Sequence, residues 1–380
     1  MSVRRETLQI ARLAPKLLGD SADLVAQFIR GQLNADGGFS NRAGDSDLYY
    51  TVFGLQALLA LRVDLPVESS AASSERFSTS SKSKAGAVSV RRETLQIARL
   101  APKLLGDSAD LVAQFIRGQL HPDGGFRNRA GDSDLYYTVF GLQALLVLRV
   151  DLPVESATLY LRGFGAGEDL DLVHLSCLAG CWAMMPASAL APATSRAMIA
   201  GVESYRANDG GYHASRDAAY GSAYHAFLAM GAYQDLGALP PYPDRVAASL
   251  ATLQSADGAF ANDPGRPRGS TPATAAAVTL IRHLDMPTSA ALADWLLARC
   301  HEGGFFASPD APVPDLLSTA TALHALSSLH APIEGIREAC LDFVDSLWTS
   351  HGAFYGTWAD DVPDCEYTFY GLLALGHLAV

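Results

Sequence analysis

Residues 2–69 and 89–156 are one 68-residue sequence written twice at an offset of 87. The copies differ at only four positions: Asn34/His121, Ala35/Pro122, Ser40/Arg127 and Ala60/Val147. Each contains Asp-Gly-Gly-Phe (123–126 in the second copy) and then the run Asp-Leu-Tyr-Tyr-Thr-Val-Phe-Gly-Leu-Gln-Ala-Leu (134–145). Weaker versions continue down the chain. The turn aromatics fall at Phe39, Phe126, Tyr212, Phe260, Phe305 and Phe354, with steps of 48, 45 and 49 residues from Tyr212 onward. The 86 residues from Phe126 to Tyr212 make two periods, and a worn unit lies between them, marked by Gly163-Phe164 and by Asp171-Leu172-Val173-His174. A fixed period of this length means a repeat architecture, in which each unit buries its apolar face only against its neighbours. Six units run from residue 89 to the end, and the first copy makes a seventh.

Each unit reads as two helices. In the second copy, 110–120 places Leu111, Val112, Phe115, Ile116 and Leu120 on one stripe with Gln114, Arg117 and Gln119 opposite, the pattern of a half-exposed helix. Asp107 and Ser108 precede it as cap residues. Pro122-Asp123-Gly124-Gly125 breaks it, because proline lacks a donor and glycine accepts positive φ. Asp132-Ser133-Asp134 then offers caps for a second helix over 135–150, apolar nearly all round and so buried on every side. Alternating half-exposed and fully buried helices predict an all-α fold, an inner ring wrapped by an outer ring: an α/α toroid.

Composition sets outer limits on function. A net charge of −12 argues against nucleic acid or an anionic membrane surface as the main partner. No run approaches the ~18 apolar residues of a membrane span, and the first residues lack the compact apolar core of a signal peptide. Five cysteines without a Cys-x-x-Cys pair suit a reducing, cytoplasmic setting. Residues 70–88 are serine-rich and aperiodic, and are read as a flexible linker between the extra copy (1–69) and a toroid domain (89–380).

The unit at 123–145 closely resembles the prenyltransferase and squalene oxidase repeat, which builds protein prenyltransferase β subunits and squalene–hopene-type cyclases. The resemblance covers 89–380 and again 2–69. It implies an α6/α6 barrel with an apolar central funnel, whose rim is formed by the residues that begin each inner helix. It also implies places to look for zinc, which activates a thiol in protein prenyltransferases. The Asp-x-Cys slots here read Asp134-Leu135-Tyr136, Thr271-Pro272-Ala273 and Asp315-Leu316-Leu317, none with cysteine. The Asp-x-x-His slots read Asp134 to Tyr137 and Asp364 to Tyr367, with tyrosine for histidine; only Asp171 to His174 keeps the spacing. Zinc remains possible in the family, but its ligands are not matched, and no cofactor is expected.

The family's diphosphate-binding stretch holds Arg127 and Arg129 in the second copy, and Arg266 and Arg268 further on. Terpene cyclases of the second class use Asp-x-Asp-Asp to protonate an alkene. Asp132-Ser133-Asp134 supplies two of those carboxylates and fits helix capping better, and six units leave no room for a second barrel. Cys177/Cys181 and Cys300-His301 are weaker metal-binding signals, whereas Tyr136, Tyr137, Tyr220, Tyr224, Tyr367 and Tyr370 cluster at inner-helix starts, where aromatic walls suit an isoprenoid.

The expected function is a prenyltransferase-like protein binding a small apolar or isoprenoid ligand. Its substrate-binding rim would comprise Asp134, Tyr136, Tyr137, Asp171, His174, Tyr220, Asp315, Asp364, Glu366 and Tyr367, with Arg129 and Arg266 on a diphosphate. The alternatives are a non-catalytic interaction module on the same barrel or a terpene-cyclase-like enzyme. The extra copy has no slot in a closed ring, so its apolar face is expected either to be dispensable or to dock on a second protomer; an unknown partner subunit is the other possibility.

Overall fold

A computed structural model of the chain describes residues 89–380 and, ahead of them, Gln27, residues 29–32, Asn34, Phe39–Ser40 and Ser46–Asp47. The chain divides into two compact units, Met1–Ser83 and Lys84–Val380. In the first, two short strands, β1 (Phe39–Ser40) and β2 (Ser46–Asp47), pair antiparallel. The remainder of the extra copy and the serine-rich segment lie outside the described residues.

The second unit is an α/α toroid. Its inner helices are α4 (Leu135–Val147), α6 (Leu172–Ala183), α8 (Ala223–Asp235), α10 (Thr271–His283), α12 (Leu316–Ser328) and α14 (Cys365–Leu378). Each packs on the next, and α14 packs back on α4, so the ring closes. Outside them run α3 (Ser108–Gly118), α5 (Val154–Arg162), α7 (Pro192–Glu203), α9 (Pro243–Thr252), α11 (Ala291–Leu297) and α13 (Arg337–Ser346). Two expected boundaries shift slightly. The outer helix begins at Ser108 rather than 110, and the inner one stops at Val147 because Arg149 takes φ 59, outside the helical region.

The repeated residues act in the same way each time. All six inner helices begin under a side-chain cap: Asp134, Asp171, Ser222, Ser270, Asp315 and Asp364 each accept a backbone N–H from the first turn. The turn aromatic is then tied to the helix it precedes. The N–H of Phe126 donates to Thr138 Oγ1 at 2.8 Å, that of Phe260 to Thr274 at 3.1 Å, that of Phe305 to Thr319 at 2.9 Å and that of Phe354 to Thr368 at 3.4 Å. In every case the threonine is the fourth residue of its helix. The ring of Phe126 lies over Gly141, where an added Cβ would stand 2.3 Å from it.

One helix belongs to neither ring. After Ser89 caps it, α1 (Val90–Ala98) packs against α4, α8 and α14. It lies at the C-terminal ends of the inner helices, where its polar side chains reach α8 and α10. Arg91 donates to Asp235 at 2.7–3.0 Å, the Val90 N–H donates to Gln234 at 2.8 Å, and Glu93 pairs with Arg282. Gly180 makes room for the Arg91 guanidinium, since a Cβ there would fall 2.1 Å from Nη2. Helix α1 therefore plugs the barrel at the end opposite the capped rim. A short helix, α2 (Pro102–Leu105), links it to α3.

Gly141→Ala is expected to lower the unfolding free energy in urea by roughly 1–3 kcal/mol through overpacking. Gly231→Ala, at an inner-helix site with nothing within 4 Å, is expected to leave it unchanged or raised by about 1 kcal/mol.

Candidate functional site

Because the six inner helices start at equivalent caps, equivalent positions along them share a level. A cavity of about 300 Å³ runs down the axis, and its lining follows that register. The second residue of each helix forms an upper tier: Tyr136, Val173, Tyr224, Pro272 and Leu317, with Glu366 at the equivalent place in α14. The fifth and sixth residues form the middle tier, dominated by Phe140, Cys177, Phe227, Phe369 and Tyr370. The ninth residues form the floor: Gln143, Gly231, Thr279, His324 and Leu373. Val90, Arg91 and Thr94 of α1 close the cavity beneath. Spacing of i, i+3/i+4, i+7 is one helix face, and seven residues span roughly 10 Å.

Aromatic rings carry the wall. Phe140 stands 5.1 Å from Tyr136, 5.5 Å from Tyr370 and 5.7 Å from Phe369, ring centre to ring centre. The polar groups of the upper tier are few, and two of them engage each other. The Tyr136 hydroxyl donates to Glu366 Oε1 at 2.6 Å. Burial pushes the Glu366 carboxyl up to about 7, the Tyr136 hydrogen bond only partly opposing it. Burial also raises Asp364 and Asp315.

The expected site residues separate into groups. Tyr136 lines the cavity and Glu366 sits against it. Tyr137 and Tyr367 are the third residues of α4 and α14, half-buried at the mouth, with the Arg129 guanidinium 5.5 Å from the Tyr367 ring. Asp134, Asp315 and Asp364 spend their carboxylates on helix caps. Asp171 also caps, and pairs with His174 Nδ1 at 2.8 Å in the exposed part of the rim. Tyr220 is 40% exposed and stands edge-on to His213. Arg266 pairs with Asp263 at 2.8 Å in an exposed turn. Arg129 donates to Asp364 at 2.7 Å and lies 3.5 Å from Asp360, so two carboxylates already hold it. Among the described residues, no group of three or more His, Cys, Asp or Glu is placed to hold a metal ion.

The middle tier and the floor were missing from the expected rim. Their signal was available: once an inner helix's second residue faces the axis, its fifth, sixth and ninth residues must too.

The family match agrees with this architecture. The model of the prenyltransferase alpha-alpha toroid domain matches residues 13–105, 98–306 and 298–379, and the chain belongs to that family. No curated protein matches it by sequence. Among solved structures, it is similar to the type II terpene cyclase MstE from Scytonema in complex with geranylgeranyl dihydroxybenzoate, at 13% identity and a TM-score of 0.50. That match covers 76% of this chain and 97% of the cyclase chain. Protein geranylgeranyltransferase-I of Candida albicans complexed with GGPP matches at 14% identity and a TM-score of 0.40, over 75% of this chain and 83% of that one. The cyclase match corrects one sequence argument: a type II terpene cyclase is covered almost whole by one toroid, so the lack of a second barrel excludes nothing.

The acid in the upper tier gives a pH signature. The carboxyl of Glu366 is raised above its unfolded value, so the native state holds its proton longer, and stability is fully present below the unfolded pKa near 4.5. It should then fall as pH rises to about 7, by about 3 kcal/mol in all. Glu366→Gln is expected to flatten that slope in urea unfolding measured from pH 4.5 to 7.5.

Proposed function

We propose that this chain binds an uncharged isoprenoid-class molecule in the three-tier cavity, and that binding is the function its geometry supports best. The observation that carries this reading is the cavity itself: about 300 Å³, walled by Tyr136, Phe140, Tyr224, Phe227, Phe369 and Tyr370, open at the capped rim and plugged at the other end. Such a volume is at the lower end of the usual range for small-molecule sites, ~300–1,000 Å³. Flexible apolar chains with π-bonds suit aromatic walls. The resemblance to proteins solved with geranylgeranyl-bearing ligands supports the same substrate class.

The charge at the mouth favours a neutral ligand. A diphosphate needs unpaired cations, yet Arg129 is held by Asp364 and Asp360, and Arg266 turns to Asp263. The same rim carries the carboxyls of Asp315, Asp364 and Glu366 at the starts of two inner helices, which repel an anion wherever they ionise. The zinc chemistry of protein prenyltransferases does not fit these residues either, because Asp134, Asp315 and Asp364 are committed to helix caps and no cysteine stands in the slots. A cyclase-like role for Glu366 fits poorly on chemical grounds. Alkene protonation needs a strong acid, and burial makes this one weak, up to about 7.

Titration calorimetry with farnesol and with farnesyl diphosphate tests the reading. Saturable one-site binding of farnesol is expected, at least roughly tenfold tighter than the diphosphate. Tighter binding of the diphosphate, or no binding of farnesol, would overturn it.

A further inference from the structure

Two hydroxyls on the shaft wall bond nothing in the protein. Tyr224 is the second residue of α8 and Tyr370 the sixth of α14, and both line the cavity. Their rings are held in place. Tyr370 packs 5.5 Å from Phe140 and 6.5 Å from Tyr367, and Tyr224 stands edge-on to His225 at 5.3 Å, its backbone N–H donating to Asn262 Oδ1. Among the described residues, the buried side-chain nitrogens and oxygens with neither a partner nor accessible surface are Trp182 Nε1, His283 Nε2 and His324 Nε2. The phenol oxygens of Tyr224 and Tyr370 also lack a partner but are not sealed in that way, so a molecule in the shaft touches them. Helices α8 and α14 face each other across the ring, three places apart in either direction. Tyr370 starts four residues, roughly 6 Å, deeper than Tyr224. Helical side chains lean toward the N-terminus, which carries its hydroxyl up toward the rim.

We propose that Tyr224 and Tyr370 form a two-donor subsite for one neutral acceptor oxygen, a carbonyl above all, on the rim-side end of the ligand, whose chain runs down the shaft toward α1. The inference deepens, and rests on, the isoprenoid-binding reading of the same cavity. Both phenols are donors at neutral pH, because burial pushes Tyr224 up to about 12 and Tyr370 well above its ordinary value. After burial, charge on Glu366 or Tyr224 raises Tyr370 further, and charge on Tyr370, Glu366 or Tyr224 raises Tyr136, so these groups share one region of the shaft. Tyr136 has already given its proton to Glu366 at 2.6 Å, which leaves the other two phenols as the unspent donors there. A carbonyl oxygen accepts from both through its two lone pairs and asks for no acceptor in return. An anionic head would have to be desolvated beside the Glu366 carboxyl.

The test titrates the full chain with geranylacetone and with the hydrocarbon in which a methylene replaces its carbonyl oxygen, and repeats both on the Tyr224→Phe/Tyr370→Phe variant. The affinity ratio of ketone to hydrocarbon is expected to be roughly tenfold larger in the wild type than in the variant. Equal ratios in the two proteins would overturn the subsite while leaving the isoprenoid reading intact, whereas binding of neither compound to the wild type would overturn that reading itself. Because the two hydroxyls bond nothing in the protein, the variant is expected to unfold at the wild-type urea midpoint. A variant that is markedly less stable, or unfolded, would show the hydroxyls to be spent on the fold and would also overturn the subsite. A second measurement needs only the wild type. Bound geranylacetone, ¹³C-labelled at the carbonyl, is expected to absorb in the infrared at a lower frequency than in hexane, as a hydrogen-bonded carbonyl does; a band at the hexane position would contradict the subsite.

Discussion

A side-chain oxygen at the start of each inner helix, accepting a backbone N–H from the first turn, is the interaction on which the rest of the toroid depends. It does more than stabilise six helix ends by about 1 kcal/mol each. It sets where each helix begins, and the threonine that holds the turn aromatic repeats the setting in four of them. With all six starts equivalent, positions two, five, six and nine come level around the axis. The cavity is a consequence of that register. Its tiers are what a one-residue slip in any helix would scramble, because each residue advances a helix by about 100°.

The second constraint is closure at the far end. An open barrel would admit water to its floor; here α1 lies across it, held by the bidentate Arg91–Asp235 pair and by Glu93 against Arg282. The pair is buried, with Asp235 only 4% exposed, and removing either partner would leave an uncompensated charge. Gly180 shows how closely the parts were fitted, since any side chain there would collide with the guanidinium. Rim and plug together make a shaft with one mouth, apolar in its middle and polar at each end.

The repeat, its turn, its caps and the inner–outer alternation were legible in the sequence because they are local: each depends on residues a few positions apart. The rim was legible for the same reason, and Tyr136 and Glu366 do meet at the mouth. The plug was not. Nothing in Val90–Ala98 says that Arg91 will find Asp235, 144 residues away, or that the helix will lie across the barrel rather than join its wall. The fate of the charged candidates was also illegible. Arg129 looks like a phosphate ligand until Asp364, 235 residues distant, is seen to occupy it. Asp171, His174, Tyr220 and Arg266 stand in the right segments, but their side chains turn to exposed neighbours rather than into the shaft. His324 is the converse: a histidine on an apolar helix reads as core until the register places it on the cavity floor beside His377.

The account stands or falls on what fills that shaft. A crystal structure of the full chain grown in saturating farnesol tests it most directly. Continuous density from Tyr136 down to His324, enclosed by Phe140, Phe227 and Tyr370, is the expected result. A shaft that holds only water, or that has collapsed with the alcohol bound elsewhere, would contradict it.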